Sequence, residues 1–227
     1  MEQSEAKTFD LEAELQKIEA AIAVLSKFPP KYIGAHGSTI PDIDWYVIAA
    51  MKKTASLAHA FCTLIRAKNA LTSAALIRMQ LDTGLRVFGL SRIDDLDAAG
   101  LHLMNDGKYT ALKARSGEWL SDKYLHTELD KAYPGLSEVY NNTSAFVHLS
   151  SAHIKTILTP RDGTSVLYFD LNGTDDRLSD EWIADAVDAF QQATDLAIEL
   201  IEGCLRYLCA RAYSRRPAVA PYGHPRP

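Results

Sequence analysis

Apolar residues recur every three or four positions along most of the chain, the spacing that places them on one face of an α-helix. The first such segment runs from Thr8 to Phe28, and we expect the prolines at 29 and 30 to end it. A second runs from about Ile43 to Lys68. A third, from about Leu71 to Ile93, is apolar almost all round, which is typical of a helix buried among others.

Shorter amphipathic segments and one long helix make up the second half of the chain. The pattern predicts helices over about Asp95–Asn105, Ser121–Ala132 and Leu136 to about Ser150. The last helix is capped by Ser179, has acidic residues in its first turn, and continues to about Tyr213. Its apolar steps of four and three favour close packing inside a bundle that extends into a dimer.

A single β element interrupts this helical pattern. The segments Ile154–Thr159 and Ser165–Leu171 are rich in β-branched and aromatic residues, and Asp162-Gly163 lies between them. Asp-Gly between two such runs predicts a hairpin, here over about residues 154–171.

The distribution of proline separates a tail from the body of the chain. Four of the nine prolines lie between Pro217 and Pro227, which prevents a helix there. We expect a single domain over residues 1–213 and a flexible Pro-rich tail over 214–227. The predicted fold class is all-α, a bundle of about five to seven helices with one small β-hairpin insertion.

Composition narrows the classes of function and location. The 227 residues include 24 Lys and Arg against 29 Asp and Glu, so we expect no strong general nucleic-acid binding. The absence of a long apolar run and of signal-peptide features predicts a cytoplasmic protein without a membrane partner. Three scattered cysteines match no zinc module, and no dinucleotide or phosphate-binding glycine motif occurs. We therefore expect neither a metal nor a cofactor.

The third predicted helix carries charged residues where its periodicity predicts core. Arg78, Asp82 and Arg86 lie at i, i+4 and i+8 on one face. Arg78 can pair with Asp82, which leaves Arg86 as surplus positive charge on the same side. Since buried charge is costly without a partner, another part of the chain must supply one.

A second polar face lies on the helix predicted from Leu136, where Tyr140, Ser144 and His148 share one side. Two such faces, if adjacent, form a polar pocket. The same arrangement also fits a buried network that fixes helix register without chemistry. The candidate ligand-binding residues are Arg78, Asp82, Arg86, Tyr140, Ser144 and His148.

The segments Ala74–Asp82 and Tyr140–His148 resemble the motifs of a bacterial helical family of unknown function. That family has an Ala-rich helix with an Arg and an acidic residue, followed by a helix with Tyr, Ser, an aromatic residue and His. It is distantly similar to HEPN domains, often dimeric helical bundles found in ribonucleases of toxin and phage-defence systems. The resemblance covers about residues 43–208. The HEPN motif of Arg followed by His four to six residues later is missing, because Asn141, Asn142 and Thr143 precede His148.

Three functions follow from these observations. The favoured prediction is a binding or regulatory protein, homodimeric, whose polar pocket takes a small ligand or nucleotide. The resemblance implies an alternative, a metal-independent ribonuclease of a stress or phage-defence system, with His148 as acid and base and Arg78 on the scissile phosphate. Ser144, one turn from His148, is a further catalytic candidate. The third prediction is a structural oligomerisation module that uses the last helix and the hairpin edge.

Overall fold

The computed structural model shows an all-α helical bundle, which confirms the fold class predicted from the apolar spacing. The helices whose bounds the structure describes are α1 (Leu11–Ala23), α2 (Phe28–Tyr32), α3 (Asp42–Arg66), α4 (Ala70–Leu90), α5 (Leu96–Met104), α6 (Asp122–Asp130), α7 (Leu136–Val147) and α8 (Asp180–Ser214). The residues that the structure describes are 9–33, 40–151, 153–154, 158–160, 167–169, 171–175 and 178–214. The predicted tail lies outside these residues apart from Ser214.

Helix α4 lies at the centre of the bundle. It packs against α3, α6, α7 and α8, which explains why its apolar residues occur almost all round. The long helices α3 and α8 also contact each other, and each packs against α1. At their contact, the rings of Phe61 and Phe190 stack with centroids 3.9 Å apart, and both residues are fully buried.

Capping side chains fix where several helices begin. Asp10 accepts a hydrogen bond from the backbone N–H of Ala13 at 3.1 Å, so α1 begins at Leu11. Ser179 accepts from the N–H of Trp182 at 3.2 Å, which confirms its predicted role at the start of α8. These bonds satisfy N–H groups that have no partner inside the helix.

The prediction that the prolines at 29 and 30 end the first helix is wrong. Helix α1 ends at Ala23, a 3-10 turn covers Val24–Lys27, and the two prolines lie in the first turn of α2. Proline is tolerated there because the first N–H groups of a helix make no intrahelical hydrogen bond. The prolines therefore start a new short helix.

The structure describes the predicted hairpin of residues 154–171 only in part. Leu158–Pro160 pairs antiparallel with Leu167–Phe169, as predicted. Ile154, predicted to begin the first strand, is helical instead. The turn at residues 161–166 lies outside the described part of the chain.

Among the helices that the structure describes, none combines the length and the apolar character needed to cross a membrane.

Replacing Phe190 with alanine tests the α3–α8 contact. Phe190→Ala should lower the free energy of unfolding by about 3–5 kcal/mol, because it leaves a cavity against Phe61. Tyr207→Ala on the same helix is the control, since Tyr207 is 56% exposed; it should cost less than about 1 kcal/mol. Urea denaturation followed by circular dichroism measures both, and equal losses would contradict the assignment of this core.

Candidate functional site

Arg78 on α4 joins this helix to α7 through its guanidinium group. Its Nη1 donates a hydrogen bond to the carbonyl of Tyr140 at 3.1 Å and another to Ser144 Oγ. Its Cζ lies 3.2 Å from the centroid of the Tyr140 ring, a cation–π contact. Only 14% of the Arg78 side chain is exposed. These two hydrogen bonds and the ring contact hold α7 against α4.

Asp82 completes the contact between the two predicted polar faces. The Tyr140 hydroxyl donates to Asp82 Oδ1 at 3.0 Å, and Arg78 Nε lies 3.5 Å from the same oxygen. Burial raises the pKa of Tyr140, and the Asp82 carboxylate raises it further, although Arg78 opposes this. Tyr140 therefore keeps its proton and acts as a donor to Asp82.

Asp122 neutralises the surplus positive charge of Arg86, a role that the sequence did not predict. Its Oδ1 contacts Nη2 of Arg86, and its Oδ2 lies 3.9 Å from Nη2 of Arg78. Asp122 is the first residue of α6, directly after the capping Ser121, where a negative charge is favourable. The sequence signalled that Arg86 needs an acidic partner, but periodicity alone did not show that α6 lies beside α4 and supplies it.

His126 is the second residue of this site that the sequence analysis missed. It lies one turn after Asp122 on α6, and its ring centroid is 4.7 Å from that of Tyr140. Its Nδ1 lies 2.9 Å from Ser137 Oγ on α7. Burial lowers the pKa of His126, and the positive charge of Arg78 lowers it further. The imidazole is therefore neutral at neutral pH.

The structure separates His148 from the other predicted site residues. Helix α7 ends at Val147, so His148 is extended and exposed and does not share a helix face with Tyr140 and Ser144. After the helix, Ser150 Oγ donates to the carbonyl of Ala145 at 2.7 Å, an acceptor that a continued helix would have bonded to a backbone N–H. No contact among the described residues joins His148 to Arg78.

A small cavity opens beside Arg86, between α3 and α4. Its volume is about 130 Å³, and its lining includes Tyr46, Lys53, Thr83 and Arg86. The ring of Tyr46 stacks on that of Tyr109, with centroids 5.9 Å apart. Burial raises the pKa of Tyr46 to about 12, so its hydroxyl stays neutral. The described side chains that line this cavity therefore bring two positive charges and no negative one.

Neither a metal site among the described residues nor a known relative identifies the chemistry of this region. Within the described ranges, no group of three or more His, Cys, Asp and Glu side chains is placed to hold a metal ion. Comparisons with protein-family models, with curated proteins and with solved structures found no match to this chain. The similarity to HEPN domains therefore stays a prediction.

Replacing Arg78 tests whether it holds α7 in place. Arg78→Met should lower the free energy of unfolding by about 2–3 kcal/mol, because Tyr140, Ser144 and Asp82 lose a charged partner. Arg206→Met is the matched control: its side chain is 66% exposed and makes an i,i+4 ion pair, so the loss should be below about 0.5 kcal/mol. Chemical denaturation measures both variants. A loss at Arg78 no larger than at Arg206 would refute the role of this contact.

Proposed function

We propose that the protein binds a small anionic ligand, a mononucleotide or another phosphate ester, in the cavity beside Arg86. The observation that carries this proposal is that Lys53 and Arg86 both line this cavity, with no carboxylate among the described lining residues. Guanidinium and ammonium groups bind phosphate through charge-assisted hydrogen bonds. The hydroxyl of Tyr46, which also lines the cavity, supplies a neutral donor.

The size of the cavity indicates which part of the ligand enters it. About 130 Å³ is small beside the roughly 300–1,000 Å³ of pockets that enclose drug-sized ligands. It suits a phosphate group, while the rest of the ligand remains outside, next to the exposed part of Tyr46.

The surrounding charges support an anion at this place. Lys53, Arg78 and Arg86 bring three positive charges, whereas the carboxylates beside them, Asp82 and Asp122, bring two negative charges. A bound anion balances the remaining positive charge. Asp122 and the carbonyl of Leu120 hold the Arg86 guanidinium, so less side-chain freedom is lost on binding.

The location of the cavity favours a regulatory use of this binding. Lys53 lies on α3 and Arg86 on α4, and Asp122 links Arg86 to α6. An anion bound between Lys53 and Arg86 adds a contact between two helices that the folded chain alone does not have. Such a ligand stabilises the folded state by mass action.

Titration with AMP tests this proposal. Lys53→Met should weaken AMP binding by about tenfold because it removes one of the two cationic phosphate contacts. Lys52→Met is the control, since Lys52 is an equally exposed neighbour that does not line the cavity. Isothermal titration calorimetry should also detect inorganic phosphate but not adenosine. The proposal would be rejected if neither AMP nor inorganic phosphate bound, or if both lysine variants weakened AMP binding equally.

A metal-independent ribonuclease is the second candidate function, and the position of His126 favours it. The neutral imidazole of His126 and the guanidinium of Arg78 both contact the ring of Tyr140. A neutral imidazole beside a guanidinium is suited to proton transfer at a phosphodiester. This assignment transfers the acid and base role from His148 to His126.

Incubation with tRNA and mRNA separates the two histidines. If the protein cleaves RNA, His126→Ala should abolish cleavage, whereas His148→Ala, which changes an exposed residue, should retain it. Gel electrophoresis of the products is the measurement. Intact RNA after incubation with the unmodified protein would eliminate this candidate. Loss of cleavage only in His148→Ala would reject the assignment of the acid and base role to His126.

The predicted homodimer, the oligomerisation-module alternative and the cytoplasmic location stay predictions, because nothing in the fold or the comparisons tests them.

A further inference from the structure

A groove with an apolar floor runs between α7 and α8, and α4 closes its base. Its volume is about 740 Å³. Buried residues from the three helices form the floor, namely Leu81, Leu136 and Ala193. Val139, which is 39% exposed, and the partly exposed Leu196 form apolar walls. The groove shares no lining residue with the cavity beside Arg86.

The rim of this groove is strongly acidic. Among the residues that the structure describes, five exposed carboxylates and no lysine or arginine line it; the carboxylates are Glu138, Asp185, Asp188, Asp195 and Glu199. In the part of the chain that the structure describes, no ion pair neutralises any of them. Asp188 and Asp195 accept hydrogen bonds from the neutral amides of Gln192 and Gln191, at 2.7 and 2.9 Å. The negative charge of the rim is therefore available to a partner.

The dimensions of the groove match a helix. The acidic residues of α8 extend from Asp185 to Glu199, a span of about 21 Å at 1.5 Å per residue. This length corresponds to about four turns of a helix lying along α8. An apolar floor with a wall formed by a long helix is an arrangement that receives an amphipathic helix in helix-in-groove recognition.

We infer that this groove is the docking site for an amphipathic helix of a partner protein, with basic residues flanking its apolar face. The apolar side chains of that helix cover Val139, Leu196 and the floor, which removes their apolar surface from water. Its lysine and arginine side chains reach the carboxylates of the rim. Complementary charge raises the association rate and fixes the orientation of the helix, while apolar burial supplies the affinity.

Synthetic peptides test the inference directly. A Leu/Lys amphipathic peptide of about 18 residues should bind the full chain about tenfold tighter than its Leu/Glu counterpart. It should also bind about tenfold tighter than a scrambled peptide of the same composition, because scrambling destroys the apolar face. Fluorescence anisotropy of labelled peptides gives the dissociation constants.

Variants of the protein locate the binding site. Asp188→Lys/Asp195→Lys should weaken the Leu/Lys peptide by about tenfold. Asp94→Lys/Glu118→Lys is the control, because it changes the net charge equally at exposed residues outside the groove, and it should leave the affinity within about twofold. Val139→Asn should weaken binding without altering the charge.

Three results would overturn the inference. Equal affinity for the scrambled peptide would show attraction by charge alone. If the two double-lysine variants weakened peptide binding equally, the peptide would bind outside the groove. If the peptide displaced a second copy of the chain, the groove would be a site of self-association. Because the groove and the AMP-binding cavity share no residue, the outcome here is independent of the nucleotide titration.

Discussion

The bundle depends on the neutralisation of the charges that α4 carries into its packed surfaces. Arg78 is the most enclosed of these; it binds α7 through Tyr140 and Ser144 and pairs with Asp82 on its own helix. A charged group in this position stabilises the fold only when every neighbouring acceptor is in place, since an unpaired buried charge is strongly destabilising. The contact therefore fixes the register of α7 on α4 as well as the distance between them.

The same requirement brings α6 into the site. Asp122 contacts Arg86 and also faces Arg78, so one carboxylate connects both arginines of α4 to the start of α6. With Asp122 engaged in this way, Arg86 is held at the edge of a cavity whose other cation is Lys53. The ion-pair network of α4 and α6 and the proposed anion site therefore share Arg86, and the network holds the Arg86 side chain in place at that site.

Helical periodicity could predict which residues of α4 and α7 carry the polar faces, because that prediction needs only the repeat of a single helix. It could not find Asp122 and His126, because their contribution depends on how α6 packs against α4 and α7. It also placed His148 on the helix face, whereas the local hydrogen bond of Ser150 ends α7 earlier. The prediction that the prolines at 29 and 30 end the first helix failed for a similar reason. Proline disrupts a helix interior but is tolerated in the first turn, and the residue type alone does not show which of these positions it takes.

Net charge is a poor guide to the surfaces of this molecule. The five carboxylates of the α7–α8 groove equal the excess of 29 acidic over 24 basic residues, so the rest of the chain is balanced overall. An acidic composition therefore argues against general binding of nucleic acid but leaves room for a local anion site. Lys53 and Arg86 line the proposed anion site on one side of α4, while Leu81 of the same helix closes the acidic groove. The charge that decides each interaction belongs to the side chains within a few ångströms of it, because salt screens exposed charges beyond about 10 Å.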